Sequence, residues 1–434
     1  MTSRVLLGPA VLVVATSGLL TFAACSGSAS SAPSGSSGTH ADGNRDMDAS
    51  PTDPAEANGN AADAASSAAD AAPESGAQPR DPGPPAVRFV GRFDTRDPAG
   101  PTCGWPGCRI IASFTGTEVK ARLDERVDAW MEGGPSEWDV VLDGVLLPKL
   151  VLEVGAHDYV LANGLPSTAH VVELYKRTET QNGYTKFLGY DFGAGKLLPP
   201  PLAPLRRLEI IGDSSVAGFG IEGVGLGPDC PGPDWGSRWQ NFHKSVGARL
   251  GEILGADVSG TVYSGKGLVR NIFRPDPDTM PVIYPRANPV DVSSVFDFTR
   301  FVPDVVVIML GGNDFAIGQG IDNGPTPASE FAQATSTFVA TVRSHAPNAH
   351  VFLALSPSVS DDAPLGNQSR TSVSSAFDQA AAQSVAAGDT HVYSVAPPAA
   401  APSELTGCNG HGTPAWHDRV AQQLAVTIKA KTGW

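Results

Sequence analysis

The chain has 434 residues, a net charge of −15, 48 glycines, 37 prolines and only 17% charged residues. That length exceeds one typical domain and predicts two folded units plus unstructured chain. The acidic balance excludes a nucleic-acid partner recognised through a basic footprint. The charge is also uneven. Between Ser26 and Ala86, nine acids (Asp42, Asp46, Asp48, Asp53, Glu56, Asp63, Asp70, Glu74, Asp81) face only Arg45 and Arg80, so seven of the fifteen net charges fall in a tract almost devoid of large apolar side chains.

Residues 1–25 read as an export signal. Arg4 supplies a positive start, Val5 to Phe22 form an apolar run interrupted by Gly8, Pro9 and Gly18, and Ala23-Ala24-Cys25 offers small residues at a cleavage point. An uncleaved membrane helix is the competing reading, against which the run is short and broken. Phe22-Ala23-Ala24-Cys25 resembles a bacterial lipobox, which implies that Cys25 carries lipid and that the only membrane contact is this anchor. Residues 26–86 cannot bury enough surface to offset the entropy of ordering and are expected to be disordered. As a flexible tether they would span about 40–45 Å. The expected location is outside the cytoplasm, lipid-anchored to the cell envelope or secreted.

With Cys25 set aside, Cys103, Cys108, Cys230 and Cys408 remain, an even number in an oxidising compartment. Cys103 and Cys108 flank the turn Gly104-Trp105-Pro106-Gly107, which leaves Cys230 to pair with Cys408. Zinc is the alternative, but no Cys-x-x-Cys pair or histidine cluster supports it, and no metal is expected.

From Val87 to about Pro201 the sequence consists of short β-like runs between turns: Arg109–Phe114 before Thr115-Gly116, an alternating Trp138–Leu142 before Asp143-Gly144, and His170–Tyr175. This spacing predicts an antiparallel sandwich over 87–203. The remainder, 204–434, changes character. Leu208–Ile211, Asp304–Leu310 and His350–Leu355 are continuous apolar runs, and Trp239–Leu254, Ala328–His345, Ser372–Ala387 and Ala415–Lys431 are helical stretches. Such alternation predicts an α/β domain with a parallel sheet covered on both faces, its site at the carboxyl ends of the strands.

Two polar clusters sit at those ends. Ser214, in Gly212-Asp213-Ser214, follows a strand where serine is either a helix cap or an exposed nucleophile. Asn313, in Gly311-Gly312-Asn313-Asp314, has an amide that can donate to an oxyanion, although asparagine is also an ordinary turn residue. Gly267 can bring a backbone N–H close to a substrate, with Gly265 as its rival. Among nine histidines, His40 lies in the tether, His157 and His170 in the sandwich, and His243, His345 and His350 on or beside helices. His391 lies in a strand. His411 and His417 remain, and the loop position before the last helix favours His411 as base.

The order Gly212-Asp213-Ser214, Gly267, Gly311–Asp314 and His411 resembles the blocks of SGNH (GDSL-type) hydrolases. Gly91-Arg92-Phe93, Trp105-Pro106-Gly107, Lys176-Arg177-Thr178-Glu179, Gly195-Lys196, Ser264-Gly265-Lys266-Gly267, Met280-Pro281 with Tyr284, and Gly407-Cys408 with His411 extend the likeness across Val87–Trp434 to carbohydrate esterase family 2. The resemblance implies an N-terminal jelly-roll sandwich and an SGNH-type three-layer α/β/α domain. It also implies a cofactor-free deacetylase acting on acetylated polysaccharide such as xylan or glucomannan. Ser214 would be the nucleophile, His411 the base, and Ser214, Gly267 and Asn313 the oxyanion donors. Asp213 and Asp314 read better as loop supports.

One departure stands out. The triad aspartate of SGNH enzymes, three residues before the histidine, is here Cys408, followed by Asn409 and Gly410. That implies a Ser214–His411 dyad, with Asn409 or a backbone carbonyl orienting the imidazole. Gly412 stands where a proline is usual, predicting a looser loop. Trp235, Trp239, Tyr284 and Trp416 could stack on sugar, though core packing is the better reading for each. A tethered glycan-binding protein with a vestigial site, and an esterase acting on lipid or cell-envelope acetyl esters, are the alternatives.

Overall fold

A computed structural model describes residues 83–127, 133–233, 235–320 and 323–434. The expected signal, Cys25 and residues 26–82 of the tether lie outside the described residues. Among those described, no helix is long and apolar enough to cross a membrane.

The C-terminal half is built on a five-stranded parallel sheet. In spatial order its strands are Ala256–Val262, Arg206–Gly212, Val305–Met309, His350–Ala354 and Val392–Val395. Successive side chains point to opposite faces, so each apolar run feeds two cores. Val305, Val307 and Met309 pack with Val246–Leu254 and Pro414–Thr432. Val306, Ile308 and Leu310 pack with Ala328–His345 and Ser369–Ala386. The result is the expected three-layer α/β/α arrangement.

Two elements differ from expectation. The helix predicted from Trp239 begins only at Val246, after the 3-10 turns Ser237–Trp239 and Phe242–Lys244. The backbone there bonds outward instead, Asn241 N to Gly218 O (2.9 Å) and Phe242 N to Arg177 O (2.8 Å). The strand Ala256–Val262 has no apolar run to announce it. It is the sheet's edge, and two of its buried polar side chains find partners on other segments: Asp257 on Arg88 and Arg109, and Thr261 on Glu209 of the neighbouring strand.

The N-terminal half is antiparallel and organised by two long strands, Arg109–Arg126 and Gly155–Lys176, which pair with each other along most of their length. Tyr184–Asp191 flanks the first and Glu137–Leu142 the second. Two apolar clusters form its core, one around Trp138, Leu123 and Leu174, the other around Phe114, Val119 and Val172. Glu137–Leu142 does not alternate between inside and outside as expected, because Glu137 and Asp139 are buried too. Both carboxylates are paired: Asp139 meets Arg177 and the His243 ring, and Glu137 meets Lys149.

The two halves share a core. Trp105 is fully buried in the cluster of the α/β layer, donating Nε1–H to Arg286 O at 3.1 Å. Arg92, also fully buried, pairs with Glu209 at 2.7 Å and lies over the rings of Tyr284 and Phe296. Removing either member of such a buried pair strands the other charge, at about 3–5 kcal/mol.

Candidate active site

The strand Arg206–Gly212 ends at Asp213, which has extended backbone geometry and caps the short helix Ser214–Ala217 by accepting from Ser215 N at 2.9 Å. Ser214 therefore sits on a sharp strand-to-helix exit at the sheet's carboxyl edge. Burial pushes the Asp213 carboxyl up to about 6, opposed by its bond from Ser215 and reinforced by the nearby Asp314 charge.

On the adjacent strand, Val305–Met309 leads into the short helix Gly312–Phe315. The Asn313 amide donates to Lys266 O at 2.9 Å and reaches Asp213 Oδ2 at 3.2 Å. Asp314 points the other way, fully buried, and accepts from the backbone N–H groups of Leu268, Val269 and Arg270 at 2.8–3.0 Å. Burial raises its pKa and those three bonds oppose the rise. Asp213 and Asp314 are thus embedded in the loops that flank the site, each through backbone N–H groups.

Gly267 is placed differently from expectation. Its N–H already donates to Asn271 Oδ1 at 3.0 Å, and it does not line the cleft described below. Its lack of a side chain has a packing reason: a Cβ would lie 2.0 Å from Arg270 O. Gly265, two residues earlier, is likewise outside the cleft lining, but it adopts the left-handed backbone region and its N–H meets no acceptor among the described residues.

His411 ends the 3-10 turn Cys408–Gly410 just before the last helix. Its Nδ1 lies 3.0 Å from Cys408 O, the group that stands where a triad acid would. Asn409 is exposed and donates its N–H to Pro228 O. The loop is fixed from below: Cys408 is joined to Cys230, its N–H donates to Gly220 O, and Phe219 packs on the imidazole at 4.6 Å between centroids. The other expected pair, Cys103–Cys108, is also joined. Gly412 lies against the Trp416 ring, where a Cβ would come within 2.4 Å of Cε3, so the missing side chain has a packing reason.

His417 serves the structure instead. It is fully buried, accepts from Val246 N at 3.2 Å, and burial with the nearby His411 drives its pKa down to about 3.

Ser214, Asn313, Asp213 and His411 line one cleft of about 220 Å3, with Ser358, Pro364 and Trp416. Of the aromatic residues considered, only Trp416 reaches it. Tyr284 is buried against Arg92 and Glu209, and Trp235 and Trp239 lie outside the cleft lining. Sequence reasoning gave no role to Glu179, whose fully buried carboxylate from the N-terminal half bonds Ser264, or to Asn271. Neither spacing nor residue type marks a partner that comes from another domain or from within a loop.

Residues 89–201 match the family model described as carbohydrate esterase 2 N-terminal, and residues 210–419 the model of the GDSL-like lipase/acylhydrolase family. The cellulase/esterase CelE of Acetivibrio thermocellus is 32% identical over 352 residues, covering 81% of this chain and 40% of that protein. The chain thus spans well under half of that relative. An acetylxylan esterase / glucomannan deacetylase of Cellvibrio japonicus is 26% identical over 271 residues, 62% of this chain and 71% of the relative. A solved family two carbohydrate esterase from Clostridium thermocellum, in complex with cellohexaose, is 30% identical with a TM-score of 0.71, covering 80% of this chain and all of that one.

Proposed function

Because the chain belongs to carbohydrate esterase family 2, a family of carboxylic ester hydrolases, we propose that it is an exported serine esterase removing O-acetyl groups from a polysaccharide such as xylan or glucomannan. The observation that carries this reading is the convergence of Ser214, Asn313 and His411 on one cleft at the strand ends, with His411 Nδ1 anchored on the Cys408 carbonyl.

Anchoring Nδ1–H on a carbonyl leaves Nε2 unprotonated and able to act as a base. Ser214 Oγ attacks the acetyl carbonyl as Nε2 takes its proton, forming a tetrahedral oxyanion. The backbone N–H groups of Ser214 and Gly265 and the Asn313 amide stabilise that charge. Gly265 takes the role first assigned to Gly267, whose N–H is occupied. The Asn313 hydrogen directed at Asp213 across 3.2 Å is the more loosely held of its two, and it is the one the oxyanion draws away. The imidazolium then protonates the departing sugar hydroxyl, breaking the C–O bond. Water attacks the acetyl-enzyme as His411 again accepts the proton; the acyl C–Oγ bond then breaks, His411 returns the proton to Ser214 Oγ, and acetate leaves. A neutral carbonyl orients the imidazole but balances the imidazolium less well than a carboxylate, so a dyad turns over more slowly than a triad. Cys25, lipidated, and the tether would hold this head away from the envelope.

The test is acetate release from acetylated xylan, glucomannan and an aryl acetate by wild type and Ser214→Ala side by side. Loss of at least about 10⁴-fold is expected. Undiminished release by Ser214→Ala would falsify the mechanism, and release from none of the glycans would reject the substrate.

A further inference from the structure

We propose that Glu179, contributed by the N-terminal half of the molecule, is a positioning residue for the oxyanion site: its carboxylate grips Ser264 and so sets the 264–266 loop. The proposal rests on the esterase reading above, in which Gly265 supplies an oxyanion donor.

The geometry begins at the sheet edge. Ala256–Val262 pairs with the nucleophile strand up to Val262 opposite Gly212, and Tyr263 N still donates to Gly212 O at 3.0 Å. There the ladder stops, because the neighbouring chain turns into the Ser214 helix. Ser264 N is the first N–H without a strand acceptor. Glu179 supplies one, with Oε2 at 2.5 Å from Ser264 N and Oε1 at 2.5 Å from Ser264 Oγ. The next two residues are the ones that matter to the site. Gly265 carries the unengaged N–H, and Lys266 O holds the Asn313 amide. Shifting Ser264 therefore displaces two groups of the oxyanion site together.

An ionised carboxylate accepts both bonds with charge assistance, whereas a glutamine would accept from Ser264 N and reverse the second bond, its NH₂ donating to Ser264 Oγ, so that the charge assistance is lost from both. The ionised form is costly where it lies. Glu179 is fully buried, burial raises its pKa to about 7, and the nearby Asp213 charge adds to the rise. The Ser264 bonds and the buried Lys176 ammonium oppose that rise, and Gln240 fixes the Glu179 backbone from the other side at 2.9 Å.

The experiment compares wild type with Glu179→Gln, Ser264→Ala and the double variant, measuring kcat, KM and inhibition by phenylboronic acid, which forms a tetrahedral adduct on a nucleophilic serine. Loss of oxyanion alignment should lower kcat about tenfold or more in Glu179→Gln, leave KM within about twofold, and weaken the boronate by about the factor lost in kcat/KM. Ser264→Ala keeps one of the two bonds and should lose a few-fold, and the double variant should be no worse than Glu179→Gln. A folded Glu179→Gln with wild-type kcat and boronate affinity overturns the proposal, as does a loss confined to KM. Should Glu179→Gln fail to fold, Ser264→Ala decides by the same two readouts. Ser214→Ala separates the two levels: activity surviving there rejects the serine mechanism, whereas an inactive Ser214→Ala beside a fully active Glu179→Gln rejects only the role of Glu179.

Discussion

The two walls of the cleft are held by different physics. Ser214 and Asn313 stand at the ends of adjacent buried strands, where ladder hydrogen bonds, an N-cap and the packing of two apolar layers fix the backbone. His411 stands outside the sheet, between the 3-10 turn Cys408–Gly410 and the last helix. Its position depends on one covalent link, Cys230–Cys408, and a few backbone bonds to residues 220 and 228. The serine wall inherits its precision from the fold. The histidine wall is a local construction, in which His411 Nδ1 meets a neutral carbonyl, that of Cys408.

Breaking the base should have the largest effect on this comparison. His411→Ala is expected to lower acetate release about 10³–10⁴-fold with little change in melting temperature, because the side chain is half-buried and holds no part of the core. His417→Ala should do the reverse, destabilising the fold by removing a fully buried ring and the acceptor of Val246 N. On the serine wall, Asn313→Ala is expected to cost about 10²-fold in kcat, the usual size for one oxyanion donor, as measured on an aryl acetate.

The histidine wall should yield to redox chemistry where the serine wall does not. Cys230→Ser with Cys408→Ser is expected to reduce kcat about tenfold and lower the melting temperature, since a loop of 178 residues is released. Asn409→Ala, by contrast, should stay within about twofold of wild type, because its exposed side chain does not orient the imidazole. Equal losses in both variants would show that the disulfide does not position His411.

The smallest effect concerns pH. Asp213 is raised from 3.8 to about 6 in the folded protein, so its contribution to stability is complete while it is protonated, below about pH 4, and is lost as pH rises through about 6. Asp213→Asn keeps a capping oxygen and removes the titration. Its melting temperature relative to wild type should therefore rise by a few degrees between pH 5 and pH 8. A difference independent of pH would mean that Asp213 does not titrate in this range.

Much of this was legible in the sequence for reasons that are local. Apolar runs such as Asp304–Leu310 mark strands buried on both faces, and helix Ala328–His345 appears with the expected bounds because its periodicity and termini are written in adjacent residues. Ser214, Asn313 and His411 are recognisable because each chemistry needs its residue type at a strand end or loop. The edge strand Ala256–Val262 was not legible: Asp257, Ser259 and Thr261 read as solvent-facing, yet all three are buried, and Asp257 and Thr261 take partners from elsewhere in the chain. The choice between Gly267 and Gly265 was hidden for the same reason, since it turns on which N–H Asn271 occupies.

The sequence by itself thus determined the two architectures and the cysteine pairs, and it pointed to Ser214, Asn313 and His411 as candidate reacting groups, because periodicity, side-chain chemistry and parity are properties of the chain read in order. Only the tertiary structure decided which carbonyl orients His411, which glycine keeps its N–H unengaged, and that Glu179 from one half grips Ser264 in the other. Those are contacts between segments far apart along the chain, and a hydrogen bond is specified by where two backbones meet in space.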